Sequence, residues 1–491
     1  MPLPALTQST LGALRSAGAA LSDLATPNLR LGVTGLARAG KTVFITALVR
    51  NLIQRGRLPF FGPAAEGRLV GAWLEPQPDD DVPRFAYEDH LAVLARDPPE
   101  WPESTRRISE LRVTIEYVPR NLLRRQLGLA RLHVDIVDYP GEWLVDLALM
   151  SQSYAAWSAL TLARAREARR AVHAKALLGF VASHRAEAPA DEQVAIAGAQ
   201  LFTAYLRAAR GDRPSRAPDP TLGPGRFLLP GDLDGSPLLT FFPLDLGTAE
   251  TTSRGTLAAL LERRYEAYKA KVVRPFFRDH FARLDRQIVL VDALAALDQG
   301  PAALADLQSA LENILTAFKT GAPPWLAFLA PRRIDRVLFA ATKADHLHHT
   351  SHDRLEALLG ELTRRAGERV SFAGAEVRSL ALAALRATRE AEVKRNGETL
   401  ACILGTPLAG ETLGAETFDG RRSAAVFPGD LPADFAALIR GEIDRGAPFD
   451  VRAVRFRPPR IASDSPAGAP AAWPHIRLDR ALDFLIGDRL A

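Results

Sequence analysis

A single cysteine, Cys402, in 491 residues excludes an internal disulfide and points to a reducing compartment, the cytoplasm. No apolar run is long enough to span a bilayer. The opening "MPLPALTQSTLGALRSAGAALSDLATP" lacks both a basic start and a clean apolar stretch, which reads against a signal peptide. Excess charge of either sign is also small: the net charge is +5. The basic run "ARAREARRAVHAK" (163–175) reads as a solvated helix face, with contact to acidic lipid or nucleic acid as the alternative. No basic segment is interleaved with aromatics in the way that reads bases, so no specific nucleic-acid partner is expected. Peripheral contact with the inner membrane stays open, and the sequence does not fix an oligomeric state. What is present is 47% hydrophobic and 24% charged, the balance of a globular protein, in a chain long enough for two to four domains.

The chemistry begins at "GLARAGKT", residues 35–42. Gly35, four residues, then Gly40-Lys41-Thr42 is the spacing of a phosphate-binding loop, and it lies between the strand-like "NLRLGVTG" and the helix-like "VFITALVRNLI" that the motif requires. Backbone N–H groups from Ala37, Arg38, Ala39, Gly40, Lys41, Thr42 and Val43 would cradle a phosphate at the positive end of that helix. Lys41 would reach the β- and γ-phosphates, and the Thr42 hydroxyl would ligate Mg²⁺.

Further along, "VDIVDYPGE" is an apolar strand ending in Asp138, with Gly141 three residues on. Asp138 is placed to hold Mg²⁺ through water, and the Gly141 N–H to meet the γ-phosphate. A contact of that kind is lost when the phosphate leaves, which turns a nucleotide into a switch. "VLFAATKADHL" then supplies Thr342, Lys343 and Asp345, the guanine-recognition motif with Thr for the more usual Asn. Its logic is chemical. A carboxylate accepts from guanine N1–H and from the exocyclic amine, whereas adenine would leave it unpaired. The chain therefore looks like a GTPase binding GTP or GDP, with an ATPase as the weaker alternative. Ala384 and Leu385, in "ALAALRAT", are the candidates for backbone contact with guanine O6. In "WPESTRRIS", Thr105 is the candidate Mg²⁺-sensing threonine, with Ser104 as the alternative and a plain polar cap as the competing explanation.

Glu142 occupies the place where small GTPases carry a water-orienting glutamine. Arg38 stands inside the phosphate loop, and "GLARAGKT" resembles the loops of guanylate-binding proteins, in which this arginine acts as a finger in cis. Charge stabilisation at the leaving phosphate and a solvent-facing arginine both remain open for Arg38. Four histidines, His346, His348, His349 and His352, carry no cysteine or evident carboxylate spacing, so they read as a polar loop-to-helix connection and not as a metal site.

Taken together, "GVTGLARAGKTVFITALV", "DIVDYPGEWLVDL", "ATKADHLHH", "AALRATREAEV" and "PHIRLDRALDFLIGDRL" resemble the YcjX-like bacterial P-loop proteins from residue 29 to 490. The resemblance implies a guanine-nucleotide switch and carries nucleotide contacts onto Gly35, Gly40, Lys41, Thr42, Asp138, Gly141, Lys343 and Asp345. More loosely, it implies a role in bacterial stress response and a membrane-bound protein partner. The fold class expected is α/β, a P-loop NTPase of GTPase type with a mixed sheet. Its divisions are an amphipathic helix in 1–28, GTPase segments at 29–142 and 331–395, a helical insertion at 143–330 and a small α+β lobe at 396–491.

Overall fold

The computed structural model describes residues 26–35, 38–103, 107–126, 128–210, 223–247, 253–319, 334–372, 374–395, 397–432, 434–440, 451–461 and 472–491. The amphipathic helix expected in 1–28 lies outside this set except for residues 26–28, and so do Ala37, Ser104 and Thr105. Strands β1 (Asn28–Gly35), β2 (Leu69–Glu75), β3 (Ser109–Tyr117), β4 (Ala130–Asp138), β5 (Arg286–Val291), β6 (Arg336–Ala341) and β7 (Glu376–Ala381) form one sheet in the order β2-β3-β4-β1-β5-β6-β7. β4, β1, β5, β6 and β7 pair in parallel, and β3 runs against both of its neighbours. This is an α/β P-loop fold of GTPase type, in which β3 and β4 form an antiparallel pair.

Period-two alternation divides β5 and β6 between two cores. Ile288 and Leu290 of β5, with Leu338 and Ala340 of β6, face a core shared with the helix Lys41–Ile53. Val289 and Val291, with Val337, Phe339 and Ala341, face the opposite one, to which the helices Pro301–Lys319 and His352–Phe372 contribute. β5 is a correction to the sequence reading, which placed it inside a long helical stretch. All six residues of "RQIVLV" are buried, because helices cover both faces of the sheet. Such a strand has no polar face to reveal its period.

Between β4 and β5 the chain builds a helical lobe from helices such as Tyr154–Ala165, Glu192–Arg210 and Leu257–Tyr268. Aromatic rings form its centre: Trp157 stacks on Tyr265 with centroids 5.2 Å apart, and Phe241 meets Tyr265 edge-on at 5.7 Å. This core is continuous with the Val289–Val291 face of the sheet. The basic run at 163–175 is not wholly a solvated face, since Arg170 is buried and ion-paired with Glu167 and Asp306.

The division expected at residue 396 also shifts. The small sheet begins earlier, with β8 (Arg389–Arg395) pairing antiparallel to β9 (Glu398–Gly405) and a third strand, Ala424–Val426, on β9. The final helix, Leu478–Ile486, leaves that lobe and packs on the main sheet through Leu478, Leu482 and Leu485. The buried Arg286 guanidinium fixes its end by donating to the Leu485 carbonyl and to Asp488, both at 2.8 Å. Asp479 and Asp483 accept from the Phe60 and Gly62 N–H groups.

Candidate functional site

The C-terminal ends of β1, β5 and β6, with the turn that follows β7, open on one cavity of about 340 Å³, within the range of small-molecule sites. Its lining combines the phosphate loop from Arg38 to Phe44 with Thr342, Lys343, Asp345, Ala384 and Leu385. These residues of the two motifs are thus brought together, whereas Gly35 is not among the lining residues. Gly40 precedes the helix at φ 84°, a left-handed conformation that glycine adopts without Cβ strain. Arg38 also has a left-handed φ, 67°, and is exposed at the cavity. Lys41 is buried, and its ammonium donates to the Gly35 carbonyl at 3.1 Å. The Thr42 hydroxyl donates to the Glu103 carbonyl at 3.3 Å, which ties the loop to the segment leading to Ser104 and Thr105.

On the base side, Asp345 is buried and accepts the Ala387 N–H at 2.7 Å, which fixes the plane of its carboxylate. The Thr388 hydroxyl donates to the Asp345 backbone carbonyl. Thr342, in the place of the usual asparagine, donates through both its N–H and its hydroxyl to the Val291 carbonyl of β5, at 2.9 and 3.3 Å. Its side chain therefore joins two strand ends. Lys343, with φ 61°, forms an ion pair with Asp292, which also caps the helix that follows β5. Asp292 is a site residue the sequence reading missed; a lone aspartate after a strand carries no motif. The reading also missed Trp101, His346 and the stretch Ala453–Phe456, which line the same cavity. The Trp101 indole N–H donates to the Phe456 carbonyl at 2.7 Å and so links the two segments.

Asp138, Gly141 and Glu142 do not line this cavity. Asp138 is buried at the end of β4, opposite Val33 of β1, and Gly141 and Glu142 start the helix Glu142–Leu147. The helical lobe grips this segment directly. Phe276 lies edge-on to both Tyr139 and Trp143, and the Arg226 guanidinium sits 3.5 Å from the centre of the Trp143 ring. Asp146 accepts from the Gly225 N–H and from the Tyr268 hydroxyl, each at 2.6 Å.

Burial pushes the Asp146 carboxyl up from an ordinary 3.8 to about 6, against the lowering effect of the Tyr268 hydrogen bond. A raised carboxyl stabilises the fold in full below the unfolded value, and that stabilisation is lost as pH rises through about 6. The gap of about two pH units is worth about 3 kcal/mol. Asp146→Asn removes the titration, and the amide's misplaced donor costs the same at every pH. The stability advantage of wild type over this variant, read from urea unfolding, is therefore expected to shrink by up to about 3 kcal/mol between about pH 4 and about pH 7. An advantage constant across that window would exclude Asp146 as the titrating group.

A family model described as the YcjX-like family, DUF463, matches residues 29–490. The chain is 38% identical over 488 residues to an Escherichia coli (strain K12) protein named Ras-like GTPase YcjX, covering 94% of this chain and 96% of that one. A Shewanella oneidensis protein of the same name is 36% identical over 489 residues, covering 94% and 95%.

Proposed function

The chain belongs to the YcjX-like family, and from that premise we propose that it binds GTP and GDP, hydrolyses GTP slowly and uses the cycle to reposition its helical lobe. One observation carries the reading: the loop lysine, Lys41, and the base-recognition carboxylate, Asp345, line the same cavity. The names of its relatives agree with it. The sequence resemblance alone adds bacterial stress response and a membrane-bound protein partner. A competition assay tests the nucleotide reading. GTP and GDP should displace a fluorescent GDP analogue from the full chain, and ATP should not. Displacement by ATP as effective as by GTP would overturn it.

The donors available for Mg²⁺ are the Thr42 hydroxyl and the Asp138 carboxylate, with the Thr105 hydroxyl as a third. Hard oxygen donors of this kind suit that ion. Held by these oxygens, the ion would supply charge neutralisation at the phosphates. Lys41 contributes a second positive charge there, and Arg38 a third on the leaving side. Arg38→Ala is then expected to slow single-turnover GTP hydrolysis by about 1,000-fold while changing GTP affinity far less. Unchanged hydrolysis would remove Arg38 from the reaction. No measurable hydrolysis by wild type itself would favour a second reading, a regulatory module that holds its nucleotide with negligible turnover, for which Glu142 in the glutamine position speaks.

The moving part we propose is residues 143–285 and not 143–330, since β5 belongs to the sheet. Gly141 and Glu142 follow β4 at the place where a γ-phosphate would be sensed, and the next residues, Trp143 and Asp146, are held by the lobe. A change at Gly141 has a short path into the lobe, through one helix.

A further inference from the structure

His348 and His349 lie on the turn after the base-recognition motif, and the fold brings Glu390 of β8 against them. One ligand atom from each of the three lies within 4.8 Å of the others. His349 Nδ1 is 2.8 Å from Glu390 Oε2, and His348 Nε2 is 3.9 Å from the same oxygen. The other ring nitrogen of His348, Nδ1, is 3.0 Å from the Thr350 hydroxyl, so the ring is held with Nε2 toward the carboxylate. The other carboxylate oxygen, Oε1, is held by Arg386 at 3.1 Å. Two of the three inward atoms, His348 Nε2 and Glu390 Oε2, thus belong to groups oriented by an outer partner, the arrangement found around metal ligands. The sequence reading set the histidines aside for want of a carboxylate at metal-ligand spacing. The carboxylate is supplied from 41 residues further along the chain.

We infer that His348 Nε2, His349 Nδ1 and Glu390 Oε2 form a binding site for a divalent ion of the zinc class. Two imidazoles and one carboxylate suit Zn²⁺ or Co²⁺ and discriminate against Mg²⁺ and Ca²⁺, which prefer all-oxygen shells. Metal–ligand bonds of about 2.0–2.2 Å place tetrahedral ligand atoms about 3.4 Å apart. The observed separations bracket that value, so modest side-chain rotation completes the site. His349 is the exposed member, which leaves room for a water as fourth ligand. His352 takes no part, because it is buried and its Nε2 lies against the Leu347 carbonyl.

The location gives the ion a function. Glu390 follows Ala387 and Thr388, the residues that hold Asp345 through its carboxylate and its carbonyl. An ion bridging His348 and His349 to Glu390 would join the same two segments a second time, beside the cavity. It would slow opening of the base pocket and hence nucleotide release. The effect on nucleotide release rests on the guanine reading; the metal site does not.

The test uses the full, nucleotide-free chain titrated with Co²⁺, whose visible absorption reports an inner-sphere site, and with Zn²⁺ in competition. Wild type should bind one equivalent, and His349→Ala and Glu390→Gln should each weaken binding by about tenfold or more. His349 is exposed, so its substitution spares the fold. No stoichiometric Co²⁺ band in wild type, or equal binding by both variants, would overturn the site. With Mg²⁺ saturating, Zn²⁺ should slow release of a fluorescent GDP analogue several-fold from wild type and not from His349→Ala. Release unaffected by Zn²⁺ despite Co²⁺ binding would remove the clamp alone. Failure to bind any guanine nucleotide would defeat the proposed function and leave the metal site standing.

Discussion

Lys41→Ala is expected to lower GDP and GTP affinity by about 100-fold or more, about 3 kcal/mol, with thermal unfolding nearly unchanged. The two readouts separate because the lysine does different work in the two states. Within the fold its ammonium, buried at the head of the helix Lys41–Ile53, donates to the Gly35 carbonyl. Deleting a buried cation also removes the cost of having desolvated it, so the fold loses little. Toward a phosphate, the same group makes charge-assisted bonds about twice as strong as neutral ones. Nothing else in the loop replaces that charge at the same point, because Arg38 is exposed on a left-handed turn. Titration with a fluorescent GDP analogue, beside a thermal melt, checks both halves. Affinity within a few-fold of wild type would place the phosphates elsewhere.

Gly225→Ala should uncouple the lobe from the nucleotide while leaving the nucleotide site itself intact. A Cβ built on Gly225 would lie 2.2 Å from the Glu142 carbonyl oxygen and 2.5 Å from its carbon. Both are backbone atoms that no rotamer change can move. Gly225 opens the short helix Gly225–Leu228, where alanine would ordinarily be the better residue, so any loss reports this contact and not helix propensity. The displaced helix would also pull its N–H from Asp146 and Arg226 from the face of Trp143. Overpacking of this kind costs about 1–3 kcal/mol of stability. GDP affinity should remain within a few-fold of wild type, and any difference in solution scattering between the GDP and GTP-analogue states should diminish. A scattering difference as large as that of wild type would mean that the lobe receives its signal by another route.

How much was legible varied with the kind of signal. Strands β1 and β4 could be read because each ends at a motif. β5 could not, since helices bury both of its faces and its apolar run is continuous with helical sequence on either side. At the site, the residues selected by spacing, Gly35 to Thr42 and Thr342 to Asp345, were visible in the sequence. Asp292, Trp101 and Ala453–Phe456 reach the cavity by tertiary packing alone, from strands and turns far apart in the chain. Glu390 belongs to the same class, since nothing local links it to the histidines it meets. The division of the C-terminal region shifted for a related reason. The amphipathic pattern of Leu478–Ile486 marks a buried face without naming the surface that buries it.

The most direct test of a guanine site is Asp345→Asn, measured by displacement of a fluorescent nucleotide with GDP, XDP and ADP. The Ala387 N–H that now bonds Asp345 would hold the amide oxygen in its place, turning the NH₂ toward the base. An amide donor suits the carbonyl that xanthine carries where guanine has its amine. Wild type should prefer GDP, and the variant should prefer XDP, with the ratio of the two affinities changing by about 100-fold or more. A variant that keeps its preference for GDP, or a wild type that binds ADP as tightly as GDP, would contradict the assignment of Asp345 to the base.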